Sequence, residues 1–240
     1  MKRFTTILFF IICFSISHAE EPDYVDLGLP SGLKWATCNI GANRPEQVGN
    51  FYAWGETVSK KKYVIKNYRF FKMPLKTRLL SALKPTLKYL EYISDYSTPE
   101  YTSLSQIINL NINDDVSYAT YGIGWKIPTK QDYEELIANC ISKMVCVDGI
   151  SCIKLTSKVN GYEDRSICFP LSDFRNDQHG MSHKKNNKKE EAPSGVFCWT
   201  STIRSCQSKD SYAFHSGKYG DTSIITAFRF IGMPIRPVCY

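Results

Sequence analysis

The chain has 240 residues, of which 43% are hydrophobic and 22% charged, and its formal net charge is +7. This composition excludes a disordered or collagen-like chain, and at this length one domain is the expectation. No apolar stretch after the first sixteen residues is long enough to cross a bilayer.

The amino terminus reads as an export signal. Lys2 and Arg3 give a basic start, residues 7–16 are almost wholly apolar, and Ser17-His18-Ala19 offers small residues for cleavage. The run falls short of the ~20 residues of a spanning helix. The expected mature chain is therefore residues 20–240, exported to a periplasm, a cell surface or the medium, with no integral membrane segment. Cys13 lies inside the apolar run behind Ile12, a poor setting for lipid attachment. The other cysteines are Cys38, Cys140, Cys146, Cys152, Cys168, Cys198, Cys206 and Cys239. An even number in an oxidising compartment favours disulfides over metal ligation. No C-x-x-C occurs, so neither a zinc knuckle nor a thioredoxin-type pair is supported.

Residues 24–29 alternate apolar with acidic side chains and break at Pro30-Ser31-Gly32, which predicts a strand, a tight turn and a second strand through Lys34-Trp35-Ala36. Residues 58–90 then hold ten Lys or Arg and no acid, while 91–118 hold five acids and no base. Such a block suits an acidic glycan, a lipopolysaccharide surface or nucleic acid, or the two blocks neutralise one another on the folded surface. Export argues against nucleic acid. Leu79, Leu80, Leu83 and Leu87 have helical spacing, but Pro74 and Pro85 limit a helix there to a turn or two.

The clearest helix follows Pro128. Thr129 is a good N-cap with Asp132 three residues on, and Tyr133, Leu136, Ile137 and Cys140 form one apolar stripe. Short strands are predicted over 144–147, 152–156, 166–170, 196–201, 212–215 and 224–230, punctuated by glycines that include Gly149. Residues 176–194, centred on KKNNKKEE, bury almost nothing and read as a loop. The fold class is α+β.

Every tryptophan sits in a phrase beside glycine or proline: GLKWATCNIGA, NFYAWGET, GIGWKIPTKQDYEEL and VFCWTSTI, with IGMPIRPV closing the series. Together with YVDLGLPSG, LNINDDVSYA and FPLSDFR, these phrases resemble the Fibrobacter succinogenes major paralogous domain family, exported domains abundant in Bacteroidetes. They occur in the family's order and cover nearly all of residues 20–240. YGIGWKIPT stands where the family favours WGGGWRMPT, and CWTST where it favours YWSST. Trp125-Lys126-Ile127-Pro128-Thr129 and its helix also look like the RLPTEAEWE segment of formylglycine-generating enzymes. The resemblance implies a C-type-lectin-like α+β scaffold whose first and last strands pair, and it implies no activity. Cys38 and Cys140 recur in family phrases, which implies a bridge between them.

Candidate chemistries find little support. The late cysteines lack the arginine- and glycine-rich contexts of a formylglycine-generating enzyme. Glu21-Pro22-Asp23 matches a calcium-lectin loop in letters only, and Asp114-Asp115 reads as a cap. His179 and His183 lie in the charged loop, and His215 reads as structural. There is no G-x-S-x-G, no phosphate-binding glycine loop and no opposed carboxylate pair, so no catalytic set, metal or cofactor is expected. The tryptophans read as core. A ligand surface is sought instead in the irregular segment, at Lys61, Lys62, Tyr63, Tyr92 and Tyr96. The expected function is an exported non-catalytic binding or adhesion module for a glycan or a surface protein. The alternatives are a divergent sulfatase-modifying-factor-like enzyme and a structural component of the cell envelope.

Overall fold

A computed structural model describes residues 21–71, 109–177, 193–204 and 209–240. These form three small antiparallel sheets and two α-helices. The first sheet has the order β1 (Tyr24–Asp26), β2 (Lys34–Ala36), β9 (Val238–Cys239). The second runs β3 (Cys140–Val147), β4 (Ile150–Ser157), β5 (Ser166–Pro170), and the third β6 (Gly195–Ile203), β7 (Asp210–Gly217), β8 (Thr222–Phe228). The helices are α1 (Val116–Tyr121) and α2 (Lys130–Asn139). The α+β expectation holds. No described helix is long and apolar enough to cross a membrane.

Local chemistry accounts for both helices. Thr129 Oγ1 accepts from the Asp132 amide at 3.1 Å while Asp132 Oδ2 accepts from the Thr129 amide at 2.8 Å, closing the capping box that the sequence predicts for α2. Asp115 caps α1, its Oδ1 accepting from Ser117 N at 2.8 Å and Tyr118 N at 3.2 Å. Its Oδ2 takes the Ile127 amide at 2.8 Å, so one carboxylate joins the short helix to the phrase that opens the long one. Asp115 is buried, and that burial raises its pKa against the pull of the three amides. Glu135, outside the apolar stripe of α2, accepts from Ser31 N and Oγ and so holds the β1–β2 turn. Cys140 leaves the helix in an extended conformation and begins β3, earlier than the sequence suggests. Asp148 and Gly149 both take positive φ in the two-residue turn to β4, the geometry that matches hairpin twist.

The strand β6 is buried along its whole length because it lies between two cores. Phe197, Trp199 and Ile203 face a cluster with Trp54, Tyr63 and Tyr68. Val196 and Cys198, of opposite parity, face a second cluster in which Tyr133 stacks on Phe214 at 4.8 Å and meets Trp35 edge-on at 4.9 Å. All four tryptophans are at most 3% exposed, as their phrases predict.

Two expectations need correction. The last strand pairs with the second, Trp35 opposite Val238, while β1 takes the other edge of β2. The order follows from Lys126, which bridges Val238 on its free side and leaves β9 no place beside β1. The seven described cysteines are free thiols, Cys38 and Cys140 among them. Cys140 is buried in the second core, whereas Cys38 lies past the end of β2 and faces an open hollow, so the two thiols sit in different surroundings.

Candidate functional site

The hollow faced by Cys38 is an open, partly polar concavity of about 750 Å³. Its walls come from three places: residues 21–23 ahead of β1, the loop from Thr37 to Tyr52, and Thr120-Tyr121 at the end of α1. The amino-terminal wall is tied down at both ends. Thr37 donates to the Asp23 carbonyl from N at 2.8 Å and from Oγ1 at 3.2 Å, and Trp125 Nε1 donates to Glu21 Oε1 at 3.1 Å.

The loop wall is held from behind by the carboxy-terminal segment. Ile40 N donates to Ile235 O at 3.0 Å, and Tyr52 exchanges both backbone bonds with Met233. Asn50 N returns to Ile40 O at 2.8 Å. Gly41, at φ +80°, permits that return, because a Cβ there would strike the Asn50 side chain. Beneath the loop lies Arg236, fully buried. Its guanidinium donates to Asn39 Oδ1 at 2.8 Å, to the carbonyls of Ala36 at 3.0 Å and Thr37 at 2.7 Å, and to Cys168 O at 2.8 Å. It also lies 4.4 Å from the centre of the Phe169 ring. Burial lowers its pKa, but an arginine keeps its proton. Four oxygens solvate this cation in place of a carboxylate.

The hollow offers carboxylates from Glu21 and Asp23, amides from Asn43 and Asn50, and the phenols of Tyr52 and Tyr121. Burial raises the pKa of both tyrosines, so at neutral pH they are intact hydrogen-bond donors. Tyr52 is 95% buried (5% exposed). Its oxygen accepts from Asn50 Nδ2 at 3.4 Å, and its proton has no acceptor among the described residues. The Tyr121 hydroxyl makes no hydrogen bond there either, and its ring packs 5.8 Å from Trp125. Among the described residues that line the hollow there is no Lys, Arg or His.

The residues singled out by sequence lie elsewhere. Tyr63, a candidate for the ligand surface, is fully buried and does not line the hollow. Its hydroxyl donates to Phe51 O and accepts from Lys60 N, and its amide donates to Asp177 Oδ2 at 2.7 Å across 114 positions. Lys61 and Lys62 are exposed and do not line the hollow. Tyr92, Tyr96, His179, His183 and Cys206 lie outside the described residues. Arg69, from the basic stretch, pairs with Asp114 of the acidic one at 2.8 Å, so the two charge blocks meet where they are described. His215 packs on Phe197 at 4.8 Å between ring centres.

Among the thiols, burial pushes Cys198 up to about 12 and Cys140 and Cys152 up to about 11, which leaves almost no thiolate at neutral pH. No group of three or more His, Cys, Asp or Glu among the described residues is arranged to hold a metal. Sequence reasoning weighed Glu21 and Asp23 only as a calcium-lectin loop and passed over Tyr52, Tyr121 and Arg236. The readable signal was an arginine set between Pro234 and Pro237 in an apolar phrase, and a tyrosine inside a tryptophan phrase.

No family model matches the chain, and neither a curated protein nor a solved structure matches it.

Proposed function

We propose that the chain is an exported, non-catalytic binding or adhesion module on a C-type-lectin-like scaffold, with a glycan as the partner in the hollow. The observation that carries this reading is the phenol of Tyr52, nearly buried, with a proton that no described residue accepts. Buried polar hydrogens are normally satisfied, so an open one at the wall of a concavity suits a hydroxylated ligand. Tyr121 supplies an aromatic surface beside it, and the surrounding amides both donate and accept. The non-catalytic part of the reading is supported by thiols whose burial holds them protonated.

A broad glycan array with the purified protein, run with and without chelator, tests this. A defined sugar class is expected, with signal lost in Tyr52→Phe and retained in chelator. Silence on a folded sample overturns the glycan reading and leaves a protein partner or an envelope role. Binding that survives Tyr52→Phe unchanged moves the site away from the hollow.

A further inference from the structure

The sign of the charge in the hollow is opposite to that of the chain. The protein is basic by composition, at +7, yet the described residues of the walls include two carboxylates and no base. Both carboxylates belong to a segment that is pinned in place: Glu21 by the Trp125 indole and Asp23 through its own carbonyl, which Thr37 binds twice. The same hollow is lined by the two phenols, which present a donor proton and an electron-rich ring face. A carboxylate is an acceptor only, so its best partner brings donors and positive charge. An aromatic face favours the same sign. An acidic sugar meets the repulsion of both carboxylates here.

We infer that the hollow selects a saccharide carrying a protonated primary amine, an amino sugar of the deacetylated hexosamine class. The ammonium sits between Glu21 and Asp23, and the ring hydroxyls take up the Tyr52 proton and the Asn50 amide. Acetylation removes the charge and two of the three ammonium hydrogens, so the same hexosamine in its acetylated form loses what the carboxylates recognise. This inference rests on the binding-module reading and narrows it.

Calorimetric titration with a glucosamine oligosaccharide, its N-acetylated counterpart, a uronic-acid oligosaccharide and a lysine amide tests it. The free amine is expected to bind about ten-fold more tightly than the acetylated form near neutral pH, one charge-assisted contact. The preference is lost towards about pH 9, where such an amine has shed its proton. In Glu21→Gln combined with Asp23→Asn the two forms bind alike while the thermal midpoint is unchanged, because Gln keeps an acceptor for Trp125. Equal binding of both forms by the unaltered protein overturns the amine assignment, as does tighter binding of the uronic acid. Binding of the lysine amide alone overturns the saccharide assignment. If none of the four binds while the glycan array shows another sugar, this inference fails and the binding-module reading stands; if the array is silent as well, both fall.

Discussion

The short stretch from Ala36 to Cys38 separates two polar regions built on different terms. On one side the carbonyls of Ala36 and Thr37 point at Arg236, where a fully buried cation is met by four oxygens and an aromatic face. On the other side Thr37 and Cys38 face the hollow, where the Tyr52 proton and the Tyr121 hydroxyl have no partner among the described residues. A buried polar group is costly when left unpaired, so the saturated centre stabilises the fold, whereas the proposed binding reading assigns the open hydrogen-bonding capacity of the wall to a ligand. Arg236 is thus read as architecture and the tyrosines as recognition. The two readings predict opposite outcomes on mutation.

Arg236→Met should produce the largest effect. It keeps much of the volume but strands three carbonyls and the Asn39 amide oxygen, at a cost of about 3 kcal/mol or more. The change in urea midpoint at constant slope measures it. A variant as stable as the parent would mean that relief from burying the charge offsets the lost bonds, and the contrast with the hollow would collapse. Asp115→Asn comes next, at about 1–3 kcal/mol, because the Ile127 amide then faces a donor in place of Oδ2. Its pH dependence sharpens the point. Burial raises the folded pKa of Asp115, so the folded state holds its proton more tightly than the unfolded chain does. The group's contribution is complete below the ordinary carboxylate range and is lost as pH rises through the raised value. The stability gap between parent and Asn variant should therefore narrow with rising pH across that window, in denaturation curves collected pH by pH.

Much of the scaffold was legible because it is local. The Thr129–Asp132 box, the Asp115 cap, the strand at β6 and the burial of all four tryptophans each follow from a few adjacent residues. Asp148-Gly149 was legible too, as the two-residue hairpin signal, but the sequence reading used only Gly149 as a breaker. The hollow was not legible. Glu21 meets Trp125 across 104 positions, and Tyr52 reaches the wall only through its pairing with Met233. Tyr63 was named for the ligand surface from its place in the irregular segment, and its distant partners at Phe51 and Asp177, which hold it in the core, have no local signature. The bridge implied for Cys38 and Cys140 came from resemblance alone, and no local pattern could show that one thiol enters the core while the other faces the hollow.

A smaller effect tests whether the local devices act locally. Thr129→Ala removes the acceptor for Asp132 N and half of the capping box, which should cost about 1 kcal/mol. Because α2 also holds the β1–β2 turn through Glu135, loosening its start should leave the hollow's ligand affinity unchanged only if the two regions are independent. Melting curves and a titration on the same sample read both quantities.

The smallest effect on stability is expected at Lys61 and Lys62. Both are exposed, and replacing them together by Gln should change stability by less than about 0.5 kcal/mol. Their value is diagnostic, since they stand in the basic stretch that the sequence offers to an acidic partner, whereas the hollow presents the opposite sign. Nearby charges in that stretch are already engaged, Lys60 with Glu56 at 2.6 Å and Arg69 with Asp114 at 2.8 Å. If the hollow carries recognition, the double substitution leaves ligand affinity as it was and changes only its dependence on salt, the signature of long-range field and not of contact. A ten-fold loss would instead place recognition on the basic face, and an acidic glycan would replace the amine-bearing one.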